Sequence, residues 1–103
     1  MGVVIAFTTV PVGERGEAIA RALVDERLAA CVNALPPMTS IYRWQGDVAV
    51  EAERQLIIKT LRRQVPALEK RLHELHPYDV PEFLVLDVMG GAERYLAWLE
   101  ESV

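Results

Sequence analysis

The chain has 103 residues, 51% of them hydrophobic, and its 15 acidic and 11 basic side chains leave a formal charge of −4. That size and content describe one compact domain over residues 1–103, small enough for self-association to help bury surface. The acidic balance and the scattered lysines and arginines speak against a phosphate-backbone surface, so no nucleic-acid partner is expected.

Cys31 is the only cysteine, so an intramolecular disulfide is excluded and a reducing compartment, the cytoplasm, is expected. The apolar run at residues 3–7 has no basic segment before it and no small-residue cleavage site after it, unlike a signal peptide. Nothing approaches the roughly 20 apolar residues of a membrane span, so no membrane partner is expected.

In chain order, residues 3–9 (Val-Val-Ile-Ala-Phe-Thr-Thr) read as a strand buried on both faces, ended by Pro11 and Gly13. Residues 14–30 follow a helical pattern, with Ile19, Leu23 and Ala30 on one stripe. A second strand is expected at residues 31–35, stopped by Pro36-Pro37, and a third at 39–44. Gly46-Asp47 should turn the chain into a long return strand over 48–61, with an irregularity near Ala52-Glu53. A helix with Pro66 in its first turn follows, presenting Leu68, Leu72 and Leu75. A strand at 82–88, the break Gly90-Gly91 and a short helix with Tyr95, Trp98 and Leu99 complete the chain. The fold class is therefore α+β, the ferredoxin-like βαββαβ plan with an extra C-terminal helix, two helices covering one face of an antiparallel sheet.

The most informative stretch is His76-Pro77-Tyr78-Asp79-Val80-Pro81-Glu82. It sets an imidazole, a phenol and two carboxylates among prolines that stiffen the connector and push each preceding residue out of the helical region. Such a loop is either a rigid turn whose polar groups cap the backbone or a functional surface. His73 and His76, three apart, would share a helix face and could offer two nitrogens to one metal ion, although tetrahedral zinc takes four ligands. The zinc-protease spacing, with histidines four apart, is absent. Cys31 has no activating partner nearby in sequence and fits a small buried hydrophobe. Alternation places Ser40, Tyr42 and Trp44 on one sheet face and Ile41, Arg43 and Gln45 on the other, the first set being core or an interprotomer surface. Lys59 interrupts an apolar strand, either paired with Glu82 or reaching out to solvent.

Five ordered motifs resemble the CutA divalent-cation tolerance family over nearly the whole chain. They are Leu28-Ala29-Ala30-Cys31-Val32-Asn33, Ser40-Ile41-Tyr42-Arg43-Trp44-Gln45-Gly46, Lys59-Thr60, the heptad at 76–82, and Tyr95-Leu96-Ala97-Trp98-Leu99. The resemblance implies a ferredoxin-like protomer in a tight homotrimer similar to the PII signalling proteins, with strands paired between protomers. It also implies a link to copper and other divalent cations. Where the family has an assigned copper site, the ligands are a first-strand cysteine and two adjacent histidines before Pro-Tyr. The second histidine corresponds to His76, while the other two positions hold Phe7 and Leu75, neither of which is a copper ligand.

The leading reading is a trimeric binding protein of the divalent-cation tolerance class, not an enzyme. Its metal candidates are His76 and His73, and its interprotomer pocket is drawn from Cys31, Tyr42, Trp44, Lys59, Tyr78 and Glu82. No cofactor is obligatory; copper or another divalent cation is the ligand to test. The near variant is a PII-like signalling or small-anion-binding trimer, favoured by Lys59. An enzyme would use Glu82 or Asp79 as base with Tyr78 as acid. RNA binding is opposed by the charge and by the lack of aromatic-basic strands.

Overall fold

The computed structural model describes residues 2–103. Strands β1 (Val3–Pro11), β2 (Cys31–Ala34), β3 (Met38–Trp44), β4 (Asp47–Leu61) and β5 (Leu84–Asp87) form one antiparallel sheet, with helices α1 (Arg15–Asp25), α2 (Val65–Leu75) and α3 (Glu93–Glu101). The strand order is β2-β4-β1-β5, and β3 continues along β4 beyond β2. The expected α+β plan is present. The edge beside β4 is split into two strands because Pro36 and Pro37 have no N–H for the ladder.

Even-numbered positions of β1 and β4 point toward α1 and α2. Ala6, Val10, Leu56 and Ile58 there pack with Ile19, Leu23, Leu68 and Leu72 into the main core. Gly16 on α1 lets that helix approach β1 closely: a Cβ at this position would stand 2.6 Å from Val10 Cγ2. A smaller cluster of Val3, Ala30, Leu61 and Leu99 anchors α3 at the end of the sheet. Tyr95 and Trp98, on the same helix, remain about half exposed.

Helix α1 stops at Asp25, five residues before the expected end. Arg27 takes φ +60°, Leu28 N–H donates to Leu23 O and Arg27 N–H to Val24 O. That is a Schellman closure built on arginine where glycine is usual, so the sequence carries no glycine to announce it. Ala30 consequently lies outside the helix and joins the α3 cluster. The next connector is held by Thr60 Oγ1, which donates to Leu28 O at 2.7 Å.

The β3–β4 turn is Gln45-Gly46, one residue earlier than expected, with φ +50° and +87° and Trp44 opposite Asp47. Both positive φ values match the two-residue turn that suits strand twist. The expected irregularity is also displaced. Strand β4 pairs with β1 in unbroken register, but Ala34 lies opposite Leu56 while Met38 lies opposite Glu53. The extra residue therefore sits across from β4, at Leu35-Pro36-Pro37. Arg54 fills the gap there by donating from Nε to Leu35 O at 2.8 Å.

Only one sheet face is covered by α1 and α2. On the other face, Ile5 and Phe7 of β1, Ile57 of β4, and Leu84 and Leu86 of β5 form a contiguous apolar patch that cross-strand pairing brings together. Leu84 and Leu86 are 58% and 53% exposed. Beyond Glu53, β4 pairs with β3 alone, leaving an edge open from Asp47 to Ala52.

Candidate functional site

The hairpin register decides what faces the heptad loop. Residues opposed across an antiparallel pair share a face, so Ser40 sits with Glu51, Tyr42 with Ala49 and Trp44 with Asp47, on the face that continues into Glu53 and Gln55. The loop at residues 77–82 stands over this face, and the two enclose a cleft of about 840 Å³. Tyr42, Trp44 and Tyr78 give it aromatic walls, and Glu51, Glu53, Asp79 and Glu82 give it carboxylates.

The loop is stapled down by hydrogen bonds. Tyr78 Oη donates to Glu53 Oε2 at 2.7 Å, and Glu53 is only 7% exposed. Gln55 Nε2 donates to Thr8 O at 2.7 Å and to Glu82 Oε2 at 2.9 Å. Tyr42 Oη donates to Glu51. Burial, followed by the Glu53 hydrogen bond, raises the Tyr78 phenol well above the usual tyrosine range. Tyr42 is raised as well, first by its bond to Glu51. Both phenols therefore keep their protons at neutral pH.

His76 departs from the expected metal pair. It caps α2 in an extended conformation, as the residue before Pro77 must, and its buried ring turns inward. Nε2 donates to Thr9 O at 2.7 Å, Nδ1 accepts from Tyr78 N–H at 3.1 Å, and the ring lies 4.8 Å from the Tyr78 ring. His73 stays on the helix, exposed, with Nδ1 2.8 Å from Glu69 O. The two imidazoles do not share a helix face, and both His76 nitrogens are occupied by backbone. The other family copper positions offer no ligand either: Leu75 packs against the core and Phe7 belongs to the open sheet face. Among the described residues no group of three His, Cys, Asp or Glu side chains is arranged to hold a metal ion. The residues present do not fit a copper site at this motif.

Of the six pocket residues expected, Tyr42, Trp44, Tyr78 and Glu82 meet in the cleft, whereas Cys31 and Lys59 do not. Those two are cross-strand neighbours farther along the open face. Lys59 Nζ lies 6.0 Å from the Tyr95 ring centroid, the outer limit of a cation–π contact, and does not pair with Glu82, which Gln55 holds. Cys31 is half-buried, with Asn33 Oδ1 at 3.9 Å from its sulfur. Glu51, Glu53 and Gln55 were not expected in the site. Their signal was the two-residue turn, which fixes Glu51 across from Ser40 and Glu53 across from Met38, with Gln55 next along the same face.

The His76 cage predicts a pH dependence. Burial is the largest influence and pushes the imidazole below its ordinary value; His73 and Arg15 act in the same direction, while Thr9 O and Glu53 oppose them. The folded chain then binds fewer protons than the unfolded one, whose histidine titrates near 6.5. Stability from this group is present above about pH 6.5 and is lost as pH falls toward the depressed folded value. Urea unfolding between pH 7.5 and 5 should show a falling midpoint, and His76→Gln should flatten that slope. An equal slope in the variant would place the effect elsewhere.

Comparison with known proteins gives the same answer as the fold. The profile of the family described as CutA1 divalent ion tolerance protein matches residues 4–102. This chain belongs to that family. The divalent-cation tolerance protein CutA of Thermus thermophilus is 49% identical over 98 residues, covering 95% of each chain. The chloroplastic CutA protein of Arabidopsis thaliana is 41% identical over 96% of this chain, which spans 54% of that relative's length. Among solved structures, CutA1 from Oryza sativa superposes with a TM-score of 0.96 at 41% identity, covering 99% of this chain and 94% of that one. The family's members are named for more than one compartment: one is chloroplastic, and the CutA of Archaeoglobus fulgidus is described as periplasmic. Among the described residues no helix is long and apolar enough to cross a membrane.

Proposed function

We propose that this CutA-family chain works as a cytoplasmic homotrimer that binds a ligand in the cleft and performs no catalysis. The observation that carries this reading is the uncovered apolar sheet face next to an aromatic–acidic cleft. Ile5, Phe7, Ile57, Leu84 and Leu86 form a patch that α1 and α2 do not reach, and contiguous exposed apolar surface marks an association site. The open β4 edge at residues 47–52 invites strand pairing with a second copy. Binding is favoured over acid–base chemistry because Tyr78 is committed to Glu53 and Glu82 to Gln55, and a phenol pushed upward is a poor acid. The small-anion variant would need Lys59 from a neighbouring copy, because the chain's own Lys59 lies outside its cleft. The divalent cation of the family's description is not assigned to His73 and His76 in this reading.

Leu86→Arg tests the assembly. The site is exposed in the single chain, so the fold should tolerate arginine, but burying an unpaired charge in an interface costs several kcal/mol. Sedimentation velocity should show the trimer replaced by monomer with an unchanged far-ultraviolet spectrum. A variant that remains fully trimeric would remove this face from the interface.

A further inference from the structure

We infer that the cleft is a binding site for an aliphatic ammonium ion of the di- or polyamine type. The inference rests on the reading of the cleft as the ligand site and adds the chemical class of the ligand.

Charge complementarity comes first. Four carboxylates line the cleft, and no lysine or arginine does. An anion would meet only repulsion there. A compact divalent ion needs several oxygens converging on one point, yet no three acidic, histidine or cysteine side chains are so arranged among the described residues. Three of the four carboxylates are instead tied to different parts of the wall: Glu51 to Tyr42, Glu53 to Tyr78, and Glu82 to Gln55. Negative charge is therefore distributed along the cleft and is not focused on one point.

The walls supply the second argument. Trp44 is 46% exposed and Tyr42 37%, and both line the same cleft as Tyr78. Aromatic faces attract cations through the ring quadrupole, and they also cover methylene groups. An alkyl chain with an ammonium at each end satisfies both features: its charged ends reach carboxylates, and its apolar stem lies on the rings. The volume of about 840 Å³ falls within the range of small-molecule sites. Both phenols are donors to carboxylates, which leaves the remaining carboxylate oxygens as acceptors, the complement of an ammonium group with three donors.

Isothermal titration of spermidine into the full chain at low salt tests the idea, with the oligomeric mass measured on the same sample. Saturable binding is expected. Glu51→Gln and Asp79→Asn, both exposed positions, should each weaken it about tenfold or more. Glu69→Gln, an exposed acid on α2 outside the cleft, should leave it unchanged, and magnesium at matched ionic strength should not displace the amine. Absent saturation overturns the inference, as does equal behaviour of all three variants, which would mean diffuse attraction to an acidic surface. A trimer that fails to bind spermidine refutes the ligand class and leaves the assembly standing. A monomer whose binding still depends on Glu51 and Asp79 refutes the assembly and leaves the ligand class standing.

Discussion

Tyr78→Phe should lower unfolding stability by about 1.5–3 kcal/mol, the range for a hydrogen bond to a charged group. The ring remains and only the hydroxyl is lost, so packing against His76 is preserved. The cost arises at Glu53, which is 7% exposed and whose Oε2 accepts the Tyr78 hydrogen bond at 2.7 Å. Removing the donor leaves a desolvated carboxylate oxygen without its partner. The double variant Tyr78→Phe/Glu53→Gln should recover part of the loss, because a neutral amide is cheaper to leave unpaired than a charge. Urea unfolding of both variants checks this; an unaffected single variant would mean that water replaces the phenol without cost.

Gly16→Ala has an expected sign opposite to helix propensity. Within a helix, alanine is favoured over glycine by about 1 kcal/mol. Here the added methyl would lie 2.6 Å from Val10 Cγ2, and Val10 is fully buried on a β-strand, with a stiff branched side chain. Overpacking of this kind costs about 1–3 kcal/mol, so the net effect should be destabilising. Val10→Ala in the same chain should make Gly16→Ala less harmful, a coupling that a double-mutant cycle measures. Stabilisation by Gly16→Ala alone would show that α1 can move away from β1 at little cost.

The fold was legible wherever hydrophobic period and proline chemistry agreed. The β1 run, the Leu68–Leu72–Leu75 stripe and the Tyr42–Trp44 alternation all fall in the elements they implied. The end of α1 was hidden because Arg27 occupies a left-handed position that glycine normally advertises. The His73–His76 pair failed for a reason already in the sequence: Pro77 forces His76 out of the helix, so helix spacing does not apply to it. Of the two readings open for Lys59, pairing with Glu82 is excluded within the chain by distance. Glu82 meets Gln55, and Lys59 lies four residues farther along β4, about 13 Å at strand rise.

Half of the cleft was readable from the heptad and the aromatic strand. The other half, Glu51, Glu53 and Gln55, depends on which residue of β4 stands opposite which residue of β3. That register follows from the Gln45-Gly46 turn. A turn placed one residue later, at Gly46-Asp47, would keep the β4 acids on this face but slide them by two positions, setting Glu51 opposite Tyr42 and Glu53 opposite Ser40. The uncovered sheet face depends on long-range pairing of β1 with both β4 and β5, which no local pattern encodes.

In the proposed trimer, three copies share the apolar face formed by Ile5, Phe7, Ile57, Leu84 and Leu86. Light scattering on the purified full chain, repeated over a hundredfold range of concentration, tests it most directly. A stable trimer gives a mass three times the 11.6 kDa of the single chain, constant across that range. A mass equal to one chain throughout would contradict it.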